Sequence, residues 1–317
     1  MPNKRLRVYE SWNLIPPVIP ERSRLYSLQP IGLGTPNAES LISYAARLAD
    51  AHCVSLGELM SREVIPLVVK ELNKNLRKKV SKSSWLLTYW WLSQPKKAPE
   101  VVLAFETLTL QEHLWLLTLL PLGRCSPFLL DHALCEYRTW CPACLQEWQN
   151  AGRTIHEPLL WSLRSVTVCP YHKQRLHSRC VWCDGHQTIV SENLRVGYCS
   201  KCQNWLGIPL EMYRGHVAEE EIKQQAWLNE FLRDLLIITP VLNTEACEQI
   251  KSSWDNIKRI FRRKFRQTLR RGYAASELLK KQGFEEFVKY CYSSRKSAKD
   301  LLALDQLWVD SKVKDNG

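Results

Sequence analysis

The chain has 317 residues, with 44 Lys plus Arg against 32 Asp plus Glu and a formal charge of +12; 45% of residues are hydrophobic and 24% charged. That length suggests two or three domains of roughly 100–200 residues, burying about 75% of the unfolded surface. The composition excludes wholesale disorder, a collagen-like repeat and a coiled-coil rod, and no apolar run approaches the ~18–20 residues of a membrane span.

Basic residues near the N-terminus (Lys4, Arg5) are followed by no apolar stretch, so a soluble, cytoplasmic protein with no membrane partner is expected. Helical periodicity, together with four Cys/His doublets between residues 141 and 202, predicts a mainly α fold carrying small zinc-ribbon or zinc-knuckle modules. Four segments are expected: an extended N-terminal arm (1–35), a helical, helix-turn-helix-like domain (36–124), a tandem zinc-binding region (125–215) and a C-terminal helical basic domain (216–317).

Five prolines between residues 1 and 30 disfavour a helix there. Trp12, Leu14 and Ile15 are interleaved with them, so the arm either lies across its own domain or docks on a partner. Pro36 suits a first helical turn, and Leu41, Tyr44, Ala45, Leu48 and Ala49 follow at three- and four-residue spacing. Ser55 with Glu58 forms a capping box for a second short helix. Two short helices joined by residues 52–55 suit a helix-turn-helix or a plain helical hairpin. Thr109 with Glu112 predicts a further apolar helix ending at Pro121. Residues 125–215 read as strand-like or irregular, and from Glu219 the chain returns to helix, with Ile222, Ala226, Phe231, Leu232 and Leu235 on one face.

Seven of the 12 cysteines lie between residues 141 and 202, paired with one another or with a histidine. The first group is Cys141-x-x-Cys144 followed by Cys169-x-x-His172. The second is Cys180-x-x-Cys183 followed by Cys199-x-x-Cys202. A reducing compartment argues against disulfides, and two intervening residues turn the chain so that both donors face one point. Eight donors suit two closed, four-coordinate zinc sites. Consecutive doublets pair most simply, because the second group folds as one compact ribbon; a cross-braced pairing also closes both sites. Four protein donors per ion describe structural zinc, whereas a catalytic ion keeps an open position. His177 and His186 form no such doublet with a cysteine. Seven thiolates and two zinc ions would bring the charge from +12 to about +9. Trp140, Trp148, Trp161, Trp182 and Trp205 crowd the region, either as core for small metal modules or as stacking platforms for bases.

Residues 258–271 hold eight cations and no acid, among them Arg259, Arg262, Arg263, Arg266 and Arg270. Ile260, Phe261, Phe265 and Leu269 keep one face apolar. Such a helix repels itself, which phosphate contact relieves, so these arginines are candidate nucleic-acid ligands; a solvated basic face is the plainer alternative. Lys74, Arg77, Lys78, Lys79 and Lys82 form a weaker cluster. No phosphate loop, dinucleotide fingerprint or nucleophile elbow is visible, and no carboxylate triad assembles from spacing.

The run Arg24-Leu-Tyr-Ser-Leu-Gln-Pro-Ile-Gly-Leu-Gly-Thr-Pro36, followed by Glu39-Ser-Leu and Arg47-Leu-Ala, resembles the start of the TniQ/TnsD family of target-selection proteins in transposons related to Tn-seven. Arg138-x-Trp140-Cys-Pro-x-Cys144, Val168-Cys-Pro-Tyr-His172 and Cys180-x-x-Cys183 are similar to that family's zinc region. The resemblance spans residues from about 10 to 210. It implies a non-catalytic adaptor that recruits an AAA+ ATPase regulator of transposition. Proteins of the TnsD kind read target DNA directly, whereas the shorter TniQ kind joins a CRISPR effector complex; both remain open here. Trp12, Leu14 and Ile15 are then candidate contacts to the regulator. A zinc-containing DNA-binding transcriptional regulator is the alternative, and a zinc-dependent hydrolase or nuclease would require an open metal site.

Overall fold

The computed structural model describes residues 22–71, 98–125, 134–209, 212, 217–242, 244, 245, 247 and 248. Ser40 holds extended backbone, and its hydroxyl accepts from Ser43 N at 3.1 Å, starting α1 (Leu41–Ala51). Pro36 is therefore not in a first turn. It belongs to a compact turn where Gly32 takes φ +65°, and a Cβ there would meet Asn37 O at 2.8 Å. The stripe Leu41, Tyr44, Ala45, Leu48 and Ala49 is buried, as its spacing predicts.

Ser55 accepts from Glu58 N at 3.1 Å and starts α2 (Leu56–Leu59), so this capping residue works as read from the sequence. The helix does not stop after one turn. It passes through a π-type turn (Met60–Val64) into α3 (Ile65–Glu71). Pro66 has no N–H to donate backward, and the wider turn just before it accommodates that loss.

Helix α4 (Ala98–Thr109) ends where the sequence predicts a helix start. The Thr109 hydroxyl donates back to Phe105 O at 2.7 Å and accepts from Gln111 N at 3.3 Å, closing α4 instead of capping a new helix. A 3-10 turn (Leu114–Leu117) follows, and Pro121 sits in the first turn of α5 (Leu120–Cys125), not at a helix end. Helix α6 (Pro142–Asn150) lies inside the stretch read as strand-like. The rest of that stretch pairs only through isolated antiparallel bridges, and the described residues contain no sheet. Helix α7 (Glu219–Ile238) starts at the expected residue, with Glu219, Glu220 and Glu221 beside its N-terminal dipole. Its buried stripe includes Leu228, Phe231, Leu232 and Leu235, while Ala226 is exposed.

Three apolar cores result. The first joins α1 to α4 with Val190, Leu194 and Val196 from the cysteine-rich region. The second packs α7 against Leu119, Leu122, Leu159, Leu160 and Leu163. The third surrounds the cysteines with Trp140, Leu145, Trp161 and Leu206. Residues 38–40 run antiparallel to 157–159, through Leu159 N to Ala38 O at 2.8 Å and Ser40 N to Glu157 O at 2.9 Å. This seam joins the helices to the cysteine-rich region.

Candidate metal centres

Three of the four doublets share one local geometry. In each, the residue after the second donor closes the turn onto the first: Lys173 N to Cys169 O at 2.9 Å, Asp184 N to Cys180 O at 2.9 Å and Gln203 N to Cys199 O at 3.0 Å. Those closing residues hold φ of 53°, 51° and 60°. The first donor's own N–H then bonds the next carbonyl: Cys169 to Gln174, Cys180 to Gly185 and Cys199 to Asn204. This tight hairpin aims two side chains at one point. The fourth doublet is built differently. Pro142 opens α6 with Cys141 as its N-cap, and Cys144 sits in the first helical turn.

The doublets associate consecutively. Cys141, Cys144, Cys169 and His172 form one cluster, and Cys180, Cys183, Cys199 and Cys202 the other, with all donor atoms of each lying within 4.8 Å of one another. Tetrahedral zinc with Zn–S of about 2.3 Å sets a sulfur–sulfur edge of about 3.8 Å, and a sulfur–nitrogen edge of about 3.6 Å. The sulfur pairs Cys144–Cys169, Cys180–Cys202 and Cys183–Cys199 stand at 3.6, 3.7 and 3.7 Å. His172 Nδ1 lies 3.4, 3.2 and 3.7 Å from the sulfurs of Cys141, Cys144 and Cys169. These separations are far beyond a disulfide bond, and all seven cysteines are free. The donor sets thus fit two metal ions.

Without a cation, the thiols of one cluster cannot ionise together. Hydrogen bonds from the Cys144 and Cys169 thiols pull Cys141 down, while the same contacts to Cys141 and Cys169 hold Cys144 far above the usual thiol range. Hydrogen bonding to the Cys141 and Cys169 sulfurs, aided by Glu147 and opposed by burial, pushes His172 up to about 11. In the second cluster burial pushes Cys180 up to about 12. Burial also opposes ionisation of Cys199, but N–H groups of Cys202 and Lys201 outweigh it and bring that thiol down to about 6. Each cluster so retains protons that a divalent cation would displace.

Neighbouring side chains orient the donors. His172 Nε2 lies 2.8 Å from Glu147 Oε1, leaving Nδ1 for the sulfurs. Buried Gln174 donates to Cys141 Sγ at 3.2 Å, and buried Gln187 donates to Cys199 Sγ at 3.2 Å. Arg138 is buried against Glu157, with Nε to Oε1 at 2.7 Å, and its Nη1 reaches Tyr198 O at 2.9 Å beside the second cluster. Sequence reasoning found none of these partners except Arg138, which entered only as part of a motif. Glu147 alone left a signal: it lies three residues after Cys144, so helical spacing puts both on one face.

Trp140 and Trp161 are core residues, while Trp148 and Trp205 pack partly buried against the same cluster. Trp182 is 65% exposed at the tip of its knuckle, although its indole N–H is held by Trp205 O at 2.8 Å. His177 and His186 lie outside both donor sets; His177 pairs by backbone with Trp140, and His186 stacks on Tyr137. Trp12, Leu14 and Ile15, the Lys74–Lys82 cluster, and Arg259, Arg262, Arg263, Arg266 and Arg270 lie outside the described residues. Among the described residues no helix is long and apolar enough to cross a membrane.

Comparison with curated proteins returned no match. Residues 30–176 match the family model of TniQ, a span that holds the Gly32 turn, the seam at 38–40 and the whole first metal cluster. Over these residues, a little under half of its length, the chain is similar to the TniQ family.

Proposed function

We propose that this protein is a non-catalytic adaptor that selects the target site for transposition. It would link target DNA or a CRISPR effector complex to an AAA+ ATPase regulator, with two structural zinc ions holding its central region. A TniQ domain carries a role in transposition-associated target selection in general; the particular partners are the proposal. The supporting observation is the domain match together with two donor sets that each supply four protein ligands. Four ligands leave no position for substrate or activated water. The ends of the chain are assigned from the sequence alone. Trp12, Leu14 and Ile15 would face the regulator, and Arg259, Arg262, Arg263, Arg266 and Arg270 would contact nucleic-acid phosphate.

The test is reconstitution of the full chain with the regulator, ATP and target DNA. An adaptor nucleates or caps the regulator's ATP-dependent assembly on DNA. Tight DNA binding with no effect on that assembly would favour a transcriptional regulator. Hydrolysis of nucleic acid dependent on added divalent metal would contradict the adaptor reading.

A further inference from the structure

Each metal cluster contains one buried glutamine whose amide nitrogen is aimed at a sulfur. Gln174, 2% exposed, donates Nε2–H to Cys141 Sγ at 3.2 Å. Gln187, fully buried, donates Nε2–H to Cys199 Sγ at the same distance. The two reach their clusters by different routes, from the knuckle after Cys169 and from the irregular segment after Cys183, and at different offsets from the ligands.

The orientation of Gln187 is fixed by its surroundings. Its Oε1 accepts from Ser200 N at 2.8 Å and Ser200 Oγ at 2.9 Å, so the nitrogen must face Cys199 and Gly185 O. It thereby bridges both knuckles of the second cluster. Gln174 differs. Its Oε1 is buried with no hydrogen-bond partner among the described residues, so the bond to Cys141 is what the amide offers in return for burial. A thiolate cluster around one divalent ion carries excess negative charge, and a neutral N–H donor spreads that charge without competing as a ligand.

We propose that Gln174 and Gln187 are positioning residues for the two metal centres, each donating one amide N–H to a single thiolate and so holding its ion against loss. This rests on the reading of both clusters as zinc sites. The sign follows from chemistry. Removing the N–H raises the energy of the sulfur lone pairs, which favours protonation over metal binding and lowers the energy of thiolate-to-metal charge transfer.

The test uses the full chain loaded with Zn2+ or with Co2+ as a spectroscopic stand-in. Gln174→Leu and Gln187→Leu are compared with the parent by chelator competition and by the near-ultraviolet thiolate-to-Co2+ band. Each variant is expected to weaken one ion of the two by about 10–100-fold and to move part of the band to longer wavelength. Gln187→Leu also strands Ser200, which destabilises the fold by itself, so Gln174→Leu, which removes an amide making a single bond, decides the matter. Gln174→Met, of similar length but lacking the donor, should reproduce its effect. Parent-like affinity and an unshifted band in the two Gln174 variants would overturn the proposal, even if their thermal stability fell. A parent protein that binds no metal at all would instead overturn the zinc reading beneath it.

Discussion

Arg138 is a buried cation with a narrow set of partners. Its guanidinium meets Glu157 and the carbonyls of Tyr198 and Arg195, linking the seam at 157–159 to the second metal cluster. Arg138→Ala would leave the Glu157 carboxylate buried and uncompensated, at a cost of about 3–5 kcal/mol. Arg138→Lys should recover little of this, because an ammonium lacks the planar fork that reaches three acceptors. Urea unfolding of both variants checks the order; a Lys variant as stable as the parent would refute the fork argument. His156 offers a pH-dependent counterpart. It stacks on Trp148, and burial lowers its pKa below the ordinary histidine value. Its contribution is complete above about pH 6.5, the unfolded value, and is lost as pH falls through the lower folded value. His156→Gln should therefore flatten the fall in unfolding temperature between pH 7 and pH 5.5; an equally steep fall would assign that pH dependence elsewhere. The eight metal donors were legible in the sequence because doublet spacing is itself the local geometry. Glu157, Gln174 and Gln187 were not, because their partners lie 12 to 33 residues away, where spacing says nothing of contact.

The elements that hold the second cluster converge on Trp205. Its indole N–H donates to Gln146 Oε1 on α6 at 3.0 Å, and its carbonyl accepts from Trp182. Gly197, at φ +80°, lets the ring lie close, since a Cβ there would stand 2.4 Å from Trp205 Cζ3. Gly197→Ala adds that clash to a strained backbone, and overpacking of this kind costs typically about 1–3 kcal/mol. Thermal unfolding checks the value, and an unchanged midpoint would mean the ring moves aside freely. At this scale the helices starting at Leu41, Leu56 and Glu219 were readable, whereas α6 was missed and the helix expected from Thr109 to Pro121 is not formed. Ser55 caps as its motif implies, whereas Thr109 with Glu112 has a similar pattern yet ends α4, because the Thr109 hydroxyl bonds back to Phe105 O. Residues at Thr109-like positions serve either end of a helix, and tertiary packing decides which. The stretch 125–215, expected to be strand-like or irregular, pairs only through isolated bridges among its described residues and also contains α6.

At the scale of the molecule, the cysteine-rich region and the helices do not have separate interiors. Val190, Leu194 and Val196 complete the core of α1 to α4, and Gly57 N donates to Glu192 O at 3.1 Å. Metal loss should therefore spread beyond the knuckles. A strong chelator is expected to lower the unfolding temperature of the helical part as well, seen as loss of far-ultraviolet helix signal in the same transition. Two separate transitions, with the helical one unmoved, would show the cores to be independent. The most direct measurement is native mass spectrometry of the freshly purified full chain, compared with Cys183→Ser. The account predicts two zinc ions per parent chain, and one or none in the variant together with loss of cooperative unfolding. A parent chain holding one ion or none, with its fold intact, would contradict it.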